Sequence, residues 1–303
     1  MIALKSLLSG AILSGTPLLY ATLAELIAER AGIVNLGLEG VMLMGAVTAF
    51  VAMVVTGSAA LGVVAGALAG AAFNAIFAFL VITRRANQLA AGLALLFCGV
   101  GLSALVGSRY VGSRIAGLPE VPIPLLSTLP GVGPAMFHHD ALVYAVVPLA
   151  IATWWGLFRT RWGLALRAVG ENQTAAFAAG RNPHALQYQA LVVAGLLGGI
   201  AGADLSLGLA KTWAEWMTSG RGFIAVALVI FSRWHPLRAI AGALLFGGAI
   251  SLEIELQAMG VPISPFLLDM LPYVLSLVVL AAWGGARRHA APASLGRVFQ
   301  RTG

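Results

Sequence analysis

Five carboxylates lie within apolar sequence: Glu25, Glu39, Asp204, Glu253 and Glu255. An ionisable group inside a bilayer is costly, so each marks a functional position or a structural pair. Glu39 follows Asn35 by four residues in GIVNLGLEG (32–40), and a helical reading puts both on one face among glycines. Glu253 and Glu255 have apolar neighbours on both sides, where pairing with an arginine competes with ion or solute handling. Glu25 and Glu29 lie one turn apart near a membrane edge, where solvation or pairing with Arg30 is expected. Asp204 reads as a solvated cap at the external end of its span. The uncharged polar groups suited to hydroxyls or bases are Asn35, Asn74, Asn87, Gln88 and Gln257. Asn87 and Gln88 directly follow Arg84 and Arg85, so an interface role competes with a path role.

Other chemistries lack their residues. A P-loop needs a lysine after glycine to reach the phosphates, and the only lysines are Lys5 and Lys211, neither preceded by glycine. No HExxH pair exists for a metal. His138 and His139 adjoin in a predicted external loop, and His184, His235 and His289 fall at membrane edges. GxSxG nucleophile motifs are missing, which argues against a hydrolase of that kind. One cysteine, Cys98, gives neither a disulfide framework nor a CxxC site. The expectation is a chain that is not an enzyme, uses no cofactor and holds no metal.

The elements that must position these residues follow from composition. The 303 residues are 60% hydrophobic and 10% charged, far from the roughly 45–50% and 25% of soluble domains. That excludes a soluble globular domain and predicts an all-α polytopic helical bundle, a single transmembrane domain over 1–303. Apolar runs place spans near 7–28, 33–56, 58–82, 87–107, 141–158, 184–208, 217–232, 237–257 and 265–284, about nine within a range of eight to ten. The apolar stretch after Lys5 imitates a signal peptide but is too long, and reads as the first span. The Pro-rich segment 108–140 is taken as an external loop. The second span, and the short seventh with SGRGF (Ser219 to Phe223), point to a broken or re-entrant helix in each half. Gly62, Gly66 and Gly70, with Gly195/Gly199 and Gly198/Gly202, have the spacing of close helix contacts.

The formal charge of +7 arises from 18 basic and 11 acidic residues. The arginines fall singly or in pairs between apolar segments, which orients a membrane protein and does not suit nucleic acid. With the Arg-rich connections inside, Arg109, Arg114, Arg221, Lys5 and Lys211 are the only basic residues outside. The N-terminus is then external and the C-terminus cytoplasmic. The longest internal connection, 159–183, contains GEN (170–172) and a small-residue stretch, Thr174 to Ala179, expected to form a short helix ending at Gly180. Such a helix suits docking in another protein's groove.

Four segments resemble a known family: AERAGIVNLGLEGVMLMGA (28–46), RRANQLAAGLAL (84–95), LRAVGENQTAAFAAGRNP (166–183) and SGRGFIAVALVIFSRWHPL (219–237). In order along nearly the whole chain they are similar to the bacterial permease subunits of ABC importers of the branched-chain amino acid, ribose and nucleoside group. NLGLEG and PFLLDMLPYVLSLVVL look most like the nucleoside and simple-sugar members. The resemblance implies an inner-membrane subunit that moves a nucleoside or related small polar solute inward. Its partners would be a separate ATPase, a second permease, paralogous or identical, and a periplasmic or lipid-anchored binding protein, all within membrane lipid. It also implies that Gly170, Glu171, Asn172, Ala175, Ala176 and Gly180 form the coupling segment on the ATPase. Asn35, Glu39, Asn87, Gln88, Phe223 and Glu253 are the candidates for the solute path. The rival readings are an ion-driven transporter, with Glu39, Glu253 or Glu255 carrying protons, and a membrane-embedded enzyme.

Overall fold

The computed structural model describes residues 2–124, 126–127, 133–260, 264, 267–268, 270–283 and 291–297. The chain is built on helices α1 (Ile2–Arg30), α2 (Leu38–Thr56), α3 (Ala59–Ala78) and α4 (Gln88–Gly107). After a long connection come α5 (Gly133–Phe137), α6 (Ala141–Arg159), α7 (Arg161–Glu171), α8 (Gln173–Ala178) and α9 (Pro183–Ala203). The last elements are α10 (Arg221–Phe231), α11 (Pro236–Ala258) and α12 (Leu271–Trp283). π-Helical turns extend α3 through Phe79–Thr83 and α9 through Asp204–Leu209.

The starts of these helices are written in the sequence. Ser58, Asn87, Asp140, Thr160, Asn172 and Asn182 each accept a backbone N–H of the turn they precede. Each satisfies a donor that the helix itself cannot. Pro183 and Pro236 open α9 and α11, where their missing N–H leaves no helix bond unmade.

Seven helices among the described residues are long and apolar enough to cross a membrane, and α10, with 11 residues, is an additional shorter apolar helix. The expected span at 265–284 falls partly outside the described residues. In α1, 89% of the most apolar stretch is buried, against 22% in α6, so α1 lies inside the bundle and α6 on its outside. Around α1 pack α9, α10 and α11, while α2, α3 and α9 cross one another. Those crossings need glycine. A Cβ on Gly70 would stand 2.5 Å from the Gly195 carbonyl oxygen, and one on Gly66 would stand 2.8 Å from that of Gly45. The glycine spacings therefore serve helix contact, as read from the sequence.

Several expectations need correction. Asn35 and Glu39 do not share a helix face, because α2 begins only at Leu38. Residues 31–37 form an irregular turn in which Gly32 takes φ +85° and the Asn35 side chain accepts the Gly37 N–H. The Asn side chain thus competes with helix formation. Likewise the seventh span does not start at 217, because Trp216, Ser219 and Gly220 all have positive φ and the helix starts at Arg221. The segment 108–140 is not wholly irregular: β1 (Glu120–Pro122) pairs antiparallel with β2 (His138–Asp140), and α5 precedes β2. Asp204 is no solvated cap but is buried, at 2% exposure. Finally, 159–183 holds a full helix, α7, before the expected short one.

Candidate functional site

The irregular turn 31–37 is held by side chains from four helices. Asn35 donates its backbone N–H to Glu25 Oε1 at 2.8 Å and its amide to Asn74 Oδ1 at 2.7 Å; Asn74 in turn donates to the Leu191 carbonyl at 2.6 Å. Gln88 Oε1 accepts the Val34 N–H at 2.9 Å, and Gln187 Nε2 donates to the Ala31 carbonyl at 3.1 Å. A buried polar group is retained where its partners are present. One polar chain thus joins α1, the turn, α3 and α9. Glu25 is a framework acceptor here and is not solvated. Glu29 accepts the Trp234 indole N–H at 2.5 Å, while Arg30 donates to the Trp234 carbonyl at 2.8 Å and 3.1 Å, so both ends of Trp234 join the charged pair.

Glu39 has no exposed surface. Its Oε1 accepts Thr218 Oγ1 at 2.5 Å and the Gly220 N–H at 2.7 Å, and its Oε2 accepts the Gly222 N–H at 2.5 Å. Gly220, the N-cap of α10, has no side chain to offer. The carboxylate of α2 therefore caps α10 from outside, and its negative charge faces the positive end of that helix. Gly222 makes the approach possible: a Cβ there would lie 2.7 Å from the Glu39 Cα. The entry to α10 also bends through Lys211, Trp216 and Ser219, whose φ values of 53°, 56° and 47° are unusual for residues with side chains.

The remaining path candidates are dispersed. Asn87, itself exposed, caps the start of α4, and Gln88 is buried beside it. Phe223 stands on α10, 37% exposed. Glu253, on α11, lines a cavity of about 440 Å³ together with Arg221, Ser219 and Tyr273. The structure thus brings Glu39 to the start of α10 and Glu253 to the cavity beside it, while Gln88 holds the turn 31–37 that leads into Glu39.

The candidate coupling residues lie on the α7–α8 corner, in two environments. Gly170 and Ala176 are buried, while Glu171, Asn172, Ala175 and Gly180 are exposed. Gly180 has φ +77°, which ends α8. Asn172 caps α8 by accepting the Ala175 N–H at 2.9 Å. Beside Ala175, Phe177 is 42% exposed, an apolar side chain that a small-residue reading passed over. From behind, residues 291–297 clasp the corner. Ser294 donates its N–H at 2.9 Å and its hydroxyl at 2.6 Å to the Gly170 carbonyl, and Gly296 donates to the Gly32 carbonyl at 3.1 Å. Gln173 Nε2 donates to the Arg297 carbonyl at 3.2 Å, and Glu171 Oε2 accepts the Ala293 N–H at 3.3 Å. Sequence inspection gave no sign of this clasp, since nothing about a lone serine after an Arg-rich stretch announces a partner 124 residues away.

Among the described residues no group of three or more His, Cys, Asp or Glu could hold a metal ion. His138 Nε2 and Lys211 Nζ approach Glu120 at 3.0 and 3.6 Å beside the β1–β2 pair.

Comparison with known proteins adds to this geometry. Residues 7–281 match the model of a family described as branched-chain amino acid transport system / permease component. A protein of Haloferax volcanii, provisionally named a glucose ABC transporter permease, is 40% identical over 86% of this chain and 80% of its own length. The nucleoside ABC transporter permease protein of Lactococcus lactis is 33% identical over 93% of both chains. The guanosine ABC transporter permease protein of Bacillus subtilis is 32% identical, also over 93% of each.

Proposed function

The chain belongs to the permease components of the branched-chain amino acid transport systems, and from that premise we propose that it conducts a nucleoside, or a related small polar solute such as a simple sugar, inward across a bacterial inner membrane. It is a multi-pass membrane protein. Energy comes from ATP hydrolysed on a separate subunit, and solute is delivered by a periplasmic or lipid-anchored binding protein. A second permease, most simply a paralogous chain, completes the passage. About nine segments cross, with the C-terminus inside: the seven long helices, α10 as a half-span entered through an irregular segment, and a last span around α12.

One observation supports this reading above the others. Two relatives whose names specify nucleosides or guanosine align over 93% of their own length, so the whole architecture is shared and not one motif. The geometry is compatible with that role. An exposed short helix, α8, carries Ala175 and Phe177 outward for docking on the ATPase. On the other side of its corner, Gly170 abuts the turn that leads into α2, giving a push on α8 a short mechanical route into the bundle. In the same reading Asn35 and Glu39 support the path as its frame, and Glu253 and Phe223 lie along it.

The test is uptake in cells that lack their own nucleoside transporters and express this chain with its partner subunits. Tritiated guanosine should accumulate, and unlabelled nucleosides should compete better than glucose. Accumulation of glucose with no uptake of guanosine would move the assignment to sugars; accumulation of neither would remove the importer reading.

A further inference from the structure

Arg84 and Arg85, in the connection between α3 and α4, take no part in the hydrogen bonds around Glu39 or the α7–α8 corner. Both are exposed. Among the described residues neither guanidinium has an ion-pair or hydrogen-bond partner. The backbone that presents them is unusual. The π-helical turn Phe79–Thr83 ends with the Arg84 N–H on the Phe79 carbonyl at 3.0 Å, and the Ala86 N–H reaches back to the Leu80 carbonyl at 2.9 Å. Such turns are rare and gather at functional sites. Arg85 then takes φ +57°, a left-handed conformation that glycine adopts at helix ends without strain. Membrane orientation calls for basic residues in a connection, but not for one at that position. The turn is also held from the side, because the Thr83 and Tyr188 hydroxyls share a hydrogen bond of 2.6 Å that reaches across to α9.

Apolar surface begins on either side of the pair. Leu68, Ile76 and Phe79 before it, and Leu89, Leu93 and Phe97 after it, are between 41% and 67% exposed. Both helices are long and apolar enough to cross a membrane. We propose that this place binds an anionic phospholipid, with the phosphate on Arg84 and Arg85 and the acyl chains along the exposed faces of α3 and α4. A guanidinium is always charged and offers two parallel N–H groups to phosphate oxygens. A zwitterionic lipid brings a cationic group beside its phosphate, which two unpaired arginines repel. Free phosphate would engage the arginines and leave the apolar faces unused. A soluble subunit would likewise meet only the arginines, since the apolar faces continue along the spans, where bilayer covers them. The site is independent of which solute the chain conducts.

Cys98, exposed on α4 and the chain's only cysteine, gives a probe for this site. It lies about 15 Å along the helix from Gln88 at 1.5 Å per residue, a depth reached by the middle of an acyl chain. The full chain, labelled there with bimane, is placed in vesicles containing phosphatidylglycerol or phosphatidylcholine that carries a nitroxide at mid-chain. At equal mole fraction the phosphatidylglycerol should quench more strongly. One arginine beside an anionic headgroup contributes about fivefold, so Arg85→Gly should lower the preference about fivefold. That variant should melt no lower than wild type, because glycine suits the left-handed position. Arg85→Lys should keep most of the preference, and Arg84→Gln combined with Arg85→Gln should erase it. Equal quenching by both lipids in the wild type, or a preference unchanged in the double variant, would overturn the proposal. Loss of the preference on adding glycerol phosphate would assign the arginines to a free phosphate and overturn the lipid. A double variant that keeps the preference but no longer co-purifies with the ATPase would assign them to a protein interface.

Discussion

Glu39 Oε2 accepts the backbone N–H of Gly222 at 2.5 Å, so a carboxylate in the first turn of α2 closes the first turn of a helix 183 residues later. The bond converts two broken segments, 31–37 and 210–220, into one braced joint. It also explains why an acidic residue is tolerated without surface exposure: two N–H groups and a hydroxyl point at it, and hydrogen bonds to a charged group are about twice as strong as neutral ones.

Replacing Glu39 with Ala leaves those three donors buried and unpaired. Each costs about 1–3 kcal/mol, so the variant should unfold at markedly lower temperature in detergent, and uptake should fall with it. Glu39→Gln keeps one acceptor oxygen and should lie between the two. Thermal melts followed by fluorescence or dye binding decide this. An unchanged melting temperature for Glu39→Ala would mean that the carboxylate does not cap α10.

The clasp at 291–297 should matter for coupling more than for folding. Ser294→Ala removes the hydroxyl bonds to the Val169 and Gly170 carbonyls, at about 1 kcal/mol each. Solute-stimulated ATPase activity of the assembled complex should drop several-fold while the permease still co-purifies with its ATPase. Full stimulation after Ser294→Ala, and after truncation at residue 290, would show that the clasp has no part in positioning the α7–α8 corner.

On the far side of that corner Ala175 and Phe177 are exposed, and the proposed role makes them the contact with the ATPase. Ala175→Arg should weaken co-purification with the ATPase and reduce stimulated ATPase activity about tenfold, with the permease melting as wild type. Because Gly180 is exposed and no atom lies within 4 Å of the position of its Cβ, Gly180→Ala acts only through its positive φ, and about 1 kcal/mol of local destabilisation is expected. Wild-type assembly and activity in Ala175→Arg would remove α8 from the interface.

The crossing of α2, α3 and α9 gives a packing prediction. Gly70→Val would drive its Cβ against the Gly195 carbonyl and the Gly199 backbone, where neither neighbour can yield without moving a helix. Overpacking of this kind costs about 1–3 kcal/mol or more. The same change at Gly101, which has no atom near its added Cβ, should leave the melting temperature nearly unchanged, and comparing the two melts isolates the close contact.

Much of the architecture was legible in the sequence because bilayer residence constrains it so strongly. Apolar runs bounded by Arg, Asn, Ser and Pro located the long helices to within a few residues, and four-residue glycine spacings located their crossings. Position 35 resisted the same reasoning. Asn35 and Glu39 have helical spacing, yet the Asn35 side chain caps the Gly37 N–H and holds the turn open. Periodicity does not record that choice, since it depends on Glu25, Asn74 and Gln88 arriving from elsewhere. Glu25 and Glu29, expected to be solvated or paired with Arg30, and Asp204, expected to be a solvated cap, are all buried, and the reason is the same: burial is a property of what packs around a residue. The pairing of Glu39 with Gly220 and Gly222 was half visible, because SGRGF stood out as a glycine-interrupted segment but nothing local linked it to α2. The α7 helix and the clasp by Ser294 were not legible, one concealed in a basic stretch that also serves membrane orientation, the other resting on main-chain carbonyls that any sequence possesses.

The central claim is that these helices form a passage driven from another polypeptide. It is tested most directly by reconstituting the chain in sealed vesicles with and without its ATPase, permease and binding-protein partners, and following tritiated guanosine against its gradient. Accumulation should require every partner and external ATP, should vanish when the ATPase carries an inactivated catalytic site, and should survive collapse of the proton gradient. Uphill accumulation by this chain alone, abolished by an uncoupler and indifferent to ATP, would contradict the claim.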